Sequence, residues 1–283
     1  MSSVDSLEQK LILEGIFLKY GYDFRKYAES SFSRRLQNIF KKFEFQDGFD
    51  FLKKVYNDPE LFEKILPFLT ISTTELFRDP LVFKTIRESL VPILKTYPRL
   101  NIWVAGCSTG EEVYSLAIIL LEEGLYSRSN IFATDINPRA LEMAREGRYS
   151  LSTFQSYVHN YTASGGTQSP SDYYTVKKGF GHFQNELKEN ILFEEHNLAT
   201  DHVFREMHLI LCRNVLIYFN RTLEDRVLRL FHDSLVYHGF LVLGSKETTR
   251  FSSLHRSYRV FDPKHKIFQK ENLAWGKEGL HAN

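Results

Sequence analysis

Residues Gly106-Cys107-Ser108-Thr109-Gly110 set two glycines around three small residues, and Glu111 and Glu112 follow at once. The apolar run Leu100-Asn101-Ile102-Trp103-Val104-Ala105 before this turn reads as a strand. The recurrence of Val113, Leu116, Ala117, Leu120 and Leu121 after it reads as a helix. Small residues at such a turn let the backbone approach a ligand closely. In an open α/β sheet, ligands sit beyond the carboxyl ends of the strands, where this turn lies. The G-x-x-x-G spacing differs from the G-x-G-x-x-G of dinucleotide sites. Carboxylates in the first turn of a helix repel a pyrophosphate from the position that helix N-termini otherwise favour. They suit a cationic ligand without phosphate, and S-adenosylmethionine, with an ammonium and a sulfonium, has that chemistry.

A second acid follows at ribose-binding spacing. Asn130-Ile131-Phe132-Ala133-Thr134 reads as another strand and ends at Asp135, 23 positions after Glu112. An acid at the end of the second strand accepts hydrogen bonds from ribose hydroxyls in dinucleotide folds. The competing reading is local: Asp135 precedes Ile136-Asn137-Pro138, and Asp commonly caps helices. Each signal alone is weak; in this order they favour a cofactor site.

The elements that must position these residues fall into two sets. From residue 5 to about 90 the pattern is helical: Leu11, Ile12, Ile16 and Phe17 recur at helical spacing, then Phe32, Leu36, Ile39, Phe40 and Phe43, then Phe51, Leu52 and Val55. After Pro98 the order is strand, turn, helix, strand, acid, helix, which is the alternation of a parallel sheet. Further strands are expected at 192–194, 208–212, 240–243, 258–261 and 266–268. A helix is expected from Leu223 to Val236, with His238-Gly239 as its C-cap. The stretch 161–172 has little apolar content and reads as a mobile surface loop. The expected fold class is α/β, a Rossmann-like domain preceded by a helical one, with a division near residue 85.

Composition excludes several classes. Over 283 residues the net charge is +1, so the molecule as a whole is not built to coat nucleic acid or an anionic membrane. No stretch approaches the length of a membrane-spanning apolar helix, and the N-terminus has no signal-peptide pattern. Cys107 and Cys212 form no C-x-x-C pair and cannot by themselves make a structural zinc site. A reducing cytoplasm is the plain expectation.

Several separated stretches match one family in its order: Thr74-Glu75-Leu76-Phe77-Arg78-Asp79-Pro80, Gly106 to Ser115, Ala133-Thr134-Asp135-Ile136, His196-Asn197-Leu198, and Cys212-Arg213-Asn214-Val215-Leu216-Ile217-Tyr218-Phe219. On these the chain resembles the CheR chemoreceptor glutamate methyltransferases over nearly its whole length. The resemblance implies an S-adenosylmethionine-dependent methyltransferase domain, an N-terminal helical domain, and a small antiparallel β-subdomain inserted at about 150–190. It implies that Ser72, Thr74 and Arg78 lie in a linker closing over the cofactor. Gly106 and Glu112 would contact the cofactor from the turn, and Asp135 its ribose. Asn197 and Leu198 would flank the adenine, with Arg213 and Asn214 below Tyr218. Arg78 and Tyr218 would act at the methyl-transfer centre. Without the resemblance, Arg78 reads as a surface partner of Asp79 or Glu75, and Tyr218 as a core aromatic.

The implied chemistry needs no general base, because a glutamate side chain, with a pKa of about 4.3, is ionised at neutral pH. Positioning and exclusion of water carry it. An arginine such as Arg78 can hold a carboxylate by a two-point fork.

The family's usual pattern is altered in three places. Ser72 replaces Asn, Leu76 replaces Phe, and Gly244-Ser245-Lys246-Glu247 replaces Gly-His-Ser-Glu. The sequence alone offers no physical account of the last change.

The implied partner is the cytoplasmic domain of a chemoreceptor, met by a basic helix over 32–43 that carries Arg34, Arg35, Lys41 and Lys42. The competing reading is a solvated helix face. Some relatives grip a peptide tethered to the receptor by strand addition. The stretch from Tyr174 to Asn197 is short for that, so no tethered-peptide docking is expected. The alternative functions are a non-catalytic cofactor-binding signalling module of the same fold, and a small-molecule or nucleic-acid methyltransferase.

Overall fold

The computed structural model describes residues 5–70 and 74–271. The first set of elements is α1 (Ser6–Tyr20), α2 (Glu29–Phe43), α3 (Gly48–Asn57) and α4 (Pro59–Leu69). Their starts are written in the sequence. Asp5 and Glu8 form a reciprocal capping box, Asp47 caps α3, and Asp58 caps α4 with Pro59 in its first turn. The inward faces, including Ile12, Ile16, Phe32, Leu36, Phe51, Ile65 and Leu69, form one core.

The second set is a seven-stranded sheet. Its strands are β1 (Leu100–Ala105), β2 (Ser129–Asp135), β6 (Ile191–Glu195), β7 (Met207–Cys212), β8 (Leu235–Leu243), β9 (Tyr258–Asp262) and β10 (Ile267–Lys270), in the order β6-β2-β1-β7-β8-β10-β9. The pairs from β6 to β8 are parallel, and β10 runs antiparallel to both β8 and β9. Neighbouring residues alternate between two cores. Ile102, Val104, Leu209 and Leu211 face one layer, whereas Trp103, Ala105, Ile210 and Cys212 face the other. Helix α7 (Glu111–Glu122) covers the first face and α10 (Arg221–Ser234) the second. Because β1 lies between β2 and β7, strand order reverses there, and the ends of these three strands enclose a crevice.

The expected insertion is a three-stranded antiparallel sheet in the order β3 (Arg148–Ser150), β5 (Phe180–Phe183) and β4 (Tyr174–Lys177). It is backed by α9 (Leu151–Ala163) and follows α8 (Pro138–Glu146). Leu76, Phe77, Val82 and Phe83 pack into the sheet's core, not the helical one. The two cores divide between Leu69 and Leu76.

Two sequence expectations are corrected. Residues 161–163 are not loop but the last turn of α9, and Pro170–Tyr173 is a short 3-10 turn. Tyr161 is buried and donates its hydroxyl to Glu122, which also accepts from Tyr173 at 2.6 Å. One buried acid thus orders a segment whose apolar content is low. The helix before His238-Gly239 ends at Ser234, and Leu235 already pairs with Met207 in the sheet. The Lys270 ammonium caps the freed carbonyls of His232 and Leu235, both at 2.7 Å, so no glycine cap is needed. His238, at φ 63°, and Gly239 instead form an irregularity within β8, before Phe240 resumes pairing with Leu209.

Candidate functional site: a cofactor crevice closed by a strained turn

The turn after β1 is fastened to the end of β2 by its own backbone. The N–H groups of Gly106 and Cys107 donate to the Thr134 carbonyl at 2.8 and 2.9 Å, and the Trp103 indole donates to the Thr134 hydroxyl at 2.8 Å. The Ser108 N–H donates to Asp135 at 2.8 Å. Gly106, Ser108 and Gly110 all have left-handed φ, at 73°, 52° and 94°. Two glycines within five residues make that path affordable. Asp135 takes a further N–H from Asn137 at 2.9 Å, but Asn137, not Asp135, caps α8. The capping reading of Asp135 is thereby removed. Burial raises the Asp135 carboxyl above its ordinary pKa, opposed by the backbone N–H groups of Asn137 and Ser108.

The opposite wall is built by distant segments. Arg78 sits between Phe77 and Asp79, two non-glycine residues with left-handed φ of 52° and 56°. A bulky residue there is held only by its surroundings. Phe77 is fully buried among Phe83, Tyr157 and Tyr161. Its N–H donates to Ser115 at 2.8 Å, and Asn160 of the inserted subdomain donates to the Leu76 carbonyl at 3.0 Å. Arg213, from the end of β7, donates to the Arg78 carbonyl at 3.0 Å and forms ion pairs with Asp79 at 2.7 Å and Glu112 at 2.6 Å. Its side chain is 1% exposed. Arg213 is thus the strut that joins the Arg78 turn to the acid after the glycine turn. That is more than lining a wall, and no local sequence feature signals it, because its partners are 101 and 134 positions away.

Tyr218 is held from two sides. Glu247, 3% exposed, accepts N–H bonds from Gly244 at 2.5 Å, Asn214 at 3.1 Å and Ile217 at 3.3 Å. It therefore folds the turn, with Asn214 at φ 61°, from which Tyr218 emerges. A Cβ on Gly244 would lie 2.7 Å from the Glu247 carboxylate and 2.8 Å from the Asn214 nitrogen. Ser245 and Lys246, the two altered positions of this motif, are exposed, while Gly244 and Glu247 are buried. The alteration therefore falls where nothing is packed. From the other side, the helical domain pairs with the Tyr218 segment. Ala28 donates to the Tyr218 carbonyl at 2.8 Å, Asn220 donates to the Lys26 carbonyl at 2.9 Å, and Tyr27 bridges Phe219. Burial raises the Tyr218 phenol above its ordinary pKa, while Arg35 and Arg78 oppose the rise.

Thr74, Arg78, Gly106, Glu112, Asp135, Asn197, Leu198, Arg213, Asn214 and Tyr218 all line one crevice. Ser72 lies outside the described residues. The crevice also takes in Tyr27, Arg35 and Thr70 from the helical domain. Of the two arginines expected on an outward basic face, Arg34 is exposed but Arg35 is not. Arg35 is 5% exposed, donates to the Leu69 carbonyl and to Ser31, and lies 4.6 Å from the Tyr218 ring centroid. Helical rotation separates the two: adjacent residues point about 100° apart, so only one can face solvent.

The residues present fit S-adenosylmethionine. Two carboxylates, Glu112 and Asp135, stand on the crevice wall, and the buried Ser108 hydroxyl has no partner among the described residues. The first turn of α7 carries Glu111 and Glu112, which repel phosphate. Among the described residues no cluster of His, Cys, Asp or Glu could hold a metal ion, and no helix is long and apolar enough to cross a membrane.

A mostly parallel sheet with this crevice at its reversal point defines a Rossmann-like cofactor-binding domain, and the acids on the crevice wall suit S-adenosylmethionine. The family model described as "CheR methyltransferase, SAM binding domain" matches residues 72–265. A Pseudomonas putida protein, "Putative methyltransferase Cher3", is 46% identical over 93% of this chain and 97% of its own length. A "Chemotaxis protein methyltransferase" of Listeria innocua is 30% identical over 80% of this chain and 84% of its own length. One of Vibrio parahaemolyticus is 31% identical over 76% and 79%. The chain belongs to the CheR methyltransferase family.

Proposed function

We propose that this protein methylates glutamate side chains on the cytoplasmic helices of a chemoreceptor, forming methyl esters. The observation that carries the reading is the convergence of Arg78 and Tyr218 on the cofactor crevice, each held by buried contacts from several segments. The names of the relatives support a chemotaxis substrate.

S-adenosylmethionine supplies an electrophilic methyl group on a sulfonium that departs as a neutral thioether. The protein's task is to bind, align and shield. Glu112 meets a cationic group, and Asp135 accepts from hydroxyls. Asn197 and Leu198, on the same crevice wall, would flank the adenine. Arg78 holds the acceptor carboxylate, and the Tyr218 hydroxyl orients the reacting atoms. Arg78 and Tyr218 would thereby place one carboxylate oxygen toward the methyl group to be transferred. No proton moves, so no catalytic base is required. The exposed Arg34 and Lys41 on α2 give the receptor's acidic helices a cationic face. The β4 edge is only four residues long, and we propose that it binds no tethered receptor peptide.

The test is transfer of labelled methyl groups to receptor cytoplasmic fragments, with each acceptor Glu compared against Gln. Labelling that survives replacement of every candidate Glu excludes glutamate as the acceptor.

A further inference from the structure

Among the described residues Arg35 is a buried cation without a counter-ion. Its guanidinium meets two neutral acceptors, the Leu69 carbonyl and the Ser31 hydroxyl, while its Nε–H is buried and has no acceptor among the described residues. The charged or titratable groups that face it are the Tyr27 and Tyr218 phenols and another cation, Arg34, with no carboxylate among them. A buried charge is costly to leave unpaired, because it has lost its water and gained no opposite charge. Here the charge lines the same crevice as the cofactor wall, stacked on the ring of Tyr218. Nearby, the helical domain holds the Tyr218 backbone through Ala28.

We propose that Arg35 receives the carboxylate of the acceptor side chain. It would be a second guanidinium opposite Arg78, so that the two domains each supply one cation to the same anion. This rests on the glutamate reading above and adds its binding group. A carboxylate there would satisfy the Nε–H and neutralise the buried charge, holding one oxygen while the other faces the methyl donor. The helical domain then selects for charge at the acceptor itself, in addition to any contact made by its outer face.

The test uses full-length protein loaded with S-adenosylhomocysteine, titrated with N-acetyl-glutamate amide and with N-acetyl-glutamine amide. These probes differ only in the charge of the side chain. Wild type is expected to prefer the glutamate form at least tenfold. Arg35→Met is expected to lose most of that preference, and Arg35→Lys to retain part of it, with S-adenosylhomocysteine affinity unchanged within twofold in both. The lysine variant keeps a cation at the position if the methionine variant fails to fold. The proposal is overturned by an unchanged Glu-over-Gln preference in the variants, or by none in wild type. It is equally overturned by a loss confined to S-adenosylhomocysteine affinity, which would assign Arg35 to the cofactor's own carboxylate. If Arg35 carries the preference but receptor fragments are labelled at no glutamate, the proposed substrate fails while the carboxylate site stands.

Discussion

The two walls of the crevice are built by different means. On the side proposed to hold the cofactor, Gly106 to Asp135 lie on consecutive strand–turn–helix units, and the bonds that fix them run between the ends of adjacent strands. On the side proposed for transfer, Arg78, Tyr218 and Arg35 come from three segments far apart in the chain. Arg213, Glu247 and Ala28 hold them in place, and the first two are buried groups that bond across long sequence separations. The first wall is a local design and the second a tertiary one. Substitutions on the first should therefore weaken cofactor binding, and those on the second should slow transfer with binding intact.

The sharpest break in that comparison is expected at Arg78 and Tyr218. Arg78→Met and Tyr218→Phe should lower kcat by roughly 10²–10³, the scale for losing one preorganised polar group at a reacting centre. S-adenosylhomocysteine affinity, measured by calorimetry, should stay within threefold of wild type. A parallel fall in affinity would merge the two walls.

Asp135→Ala should do the converse. Loss of charge-assisted hydrogen bonds of about 1.5–3 kcal/mol corresponds to roughly 10–100-fold weaker cofactor binding. At saturating S-adenosylmethionine much of kcat should return. Wild-type affinity in this variant would contradict the ribose assignment.

Glu247→Gln separates placement from contact, because Glu247 bonds the backbone of the turn that carries Tyr218 and does not itself line the crevice. Losing part of its acceptor set, about 1–1.5 kcal/mol, should cut kcat about tenfold with KM for cofactor little changed. Its pH dependence has a defined sign. Burial raises the Glu247 carboxyl above its ordinary 4.5, opposed by backbone N–H bonds. A carboxyl raised in the folded state contributes most stability below its unfolded pKa and loses it as pH rises through the folded value. Denaturant titrations should therefore show the stability margin of wild type over Glu247→Gln shrinking as pH climbs upward from about 4.5. A margin that grows over that range would reverse the assignment.

The smallest effect is expected at Arg34. Reversing this exposed charge, Arg34→Glu, should raise KM for a receptor fragment a few-fold, and more so at low salt. Cofactor affinity should not move. An unchanged KM at low ionic strength would leave α2 without a docking role.

The glycine-turn wall of the crevice was legible in the chain alone. A glycine turn, its following acids and an acid at the next strand end are local features, because backbone geometry and strand order act over short distances. The helix starts at Asp5, Asp47 and Asp58 are local too, each fixed by a cap within three residues. Only the tertiary structure decided what lies opposite. Asp135 or Asn137 as the cap, Arg213 as a strut, Glu247 as the anchor of Tyr218, and Arg35 turned inward while Arg34 faces solvent all depend on which distant groups arrive beside them. The order at Tyr161 and the stop at Ser234 are of the same kind, set by Glu122 and Lys270. A buried polar group must find a partner, but its residue type does not say which one, and that choice is made by the packing of the whole chain.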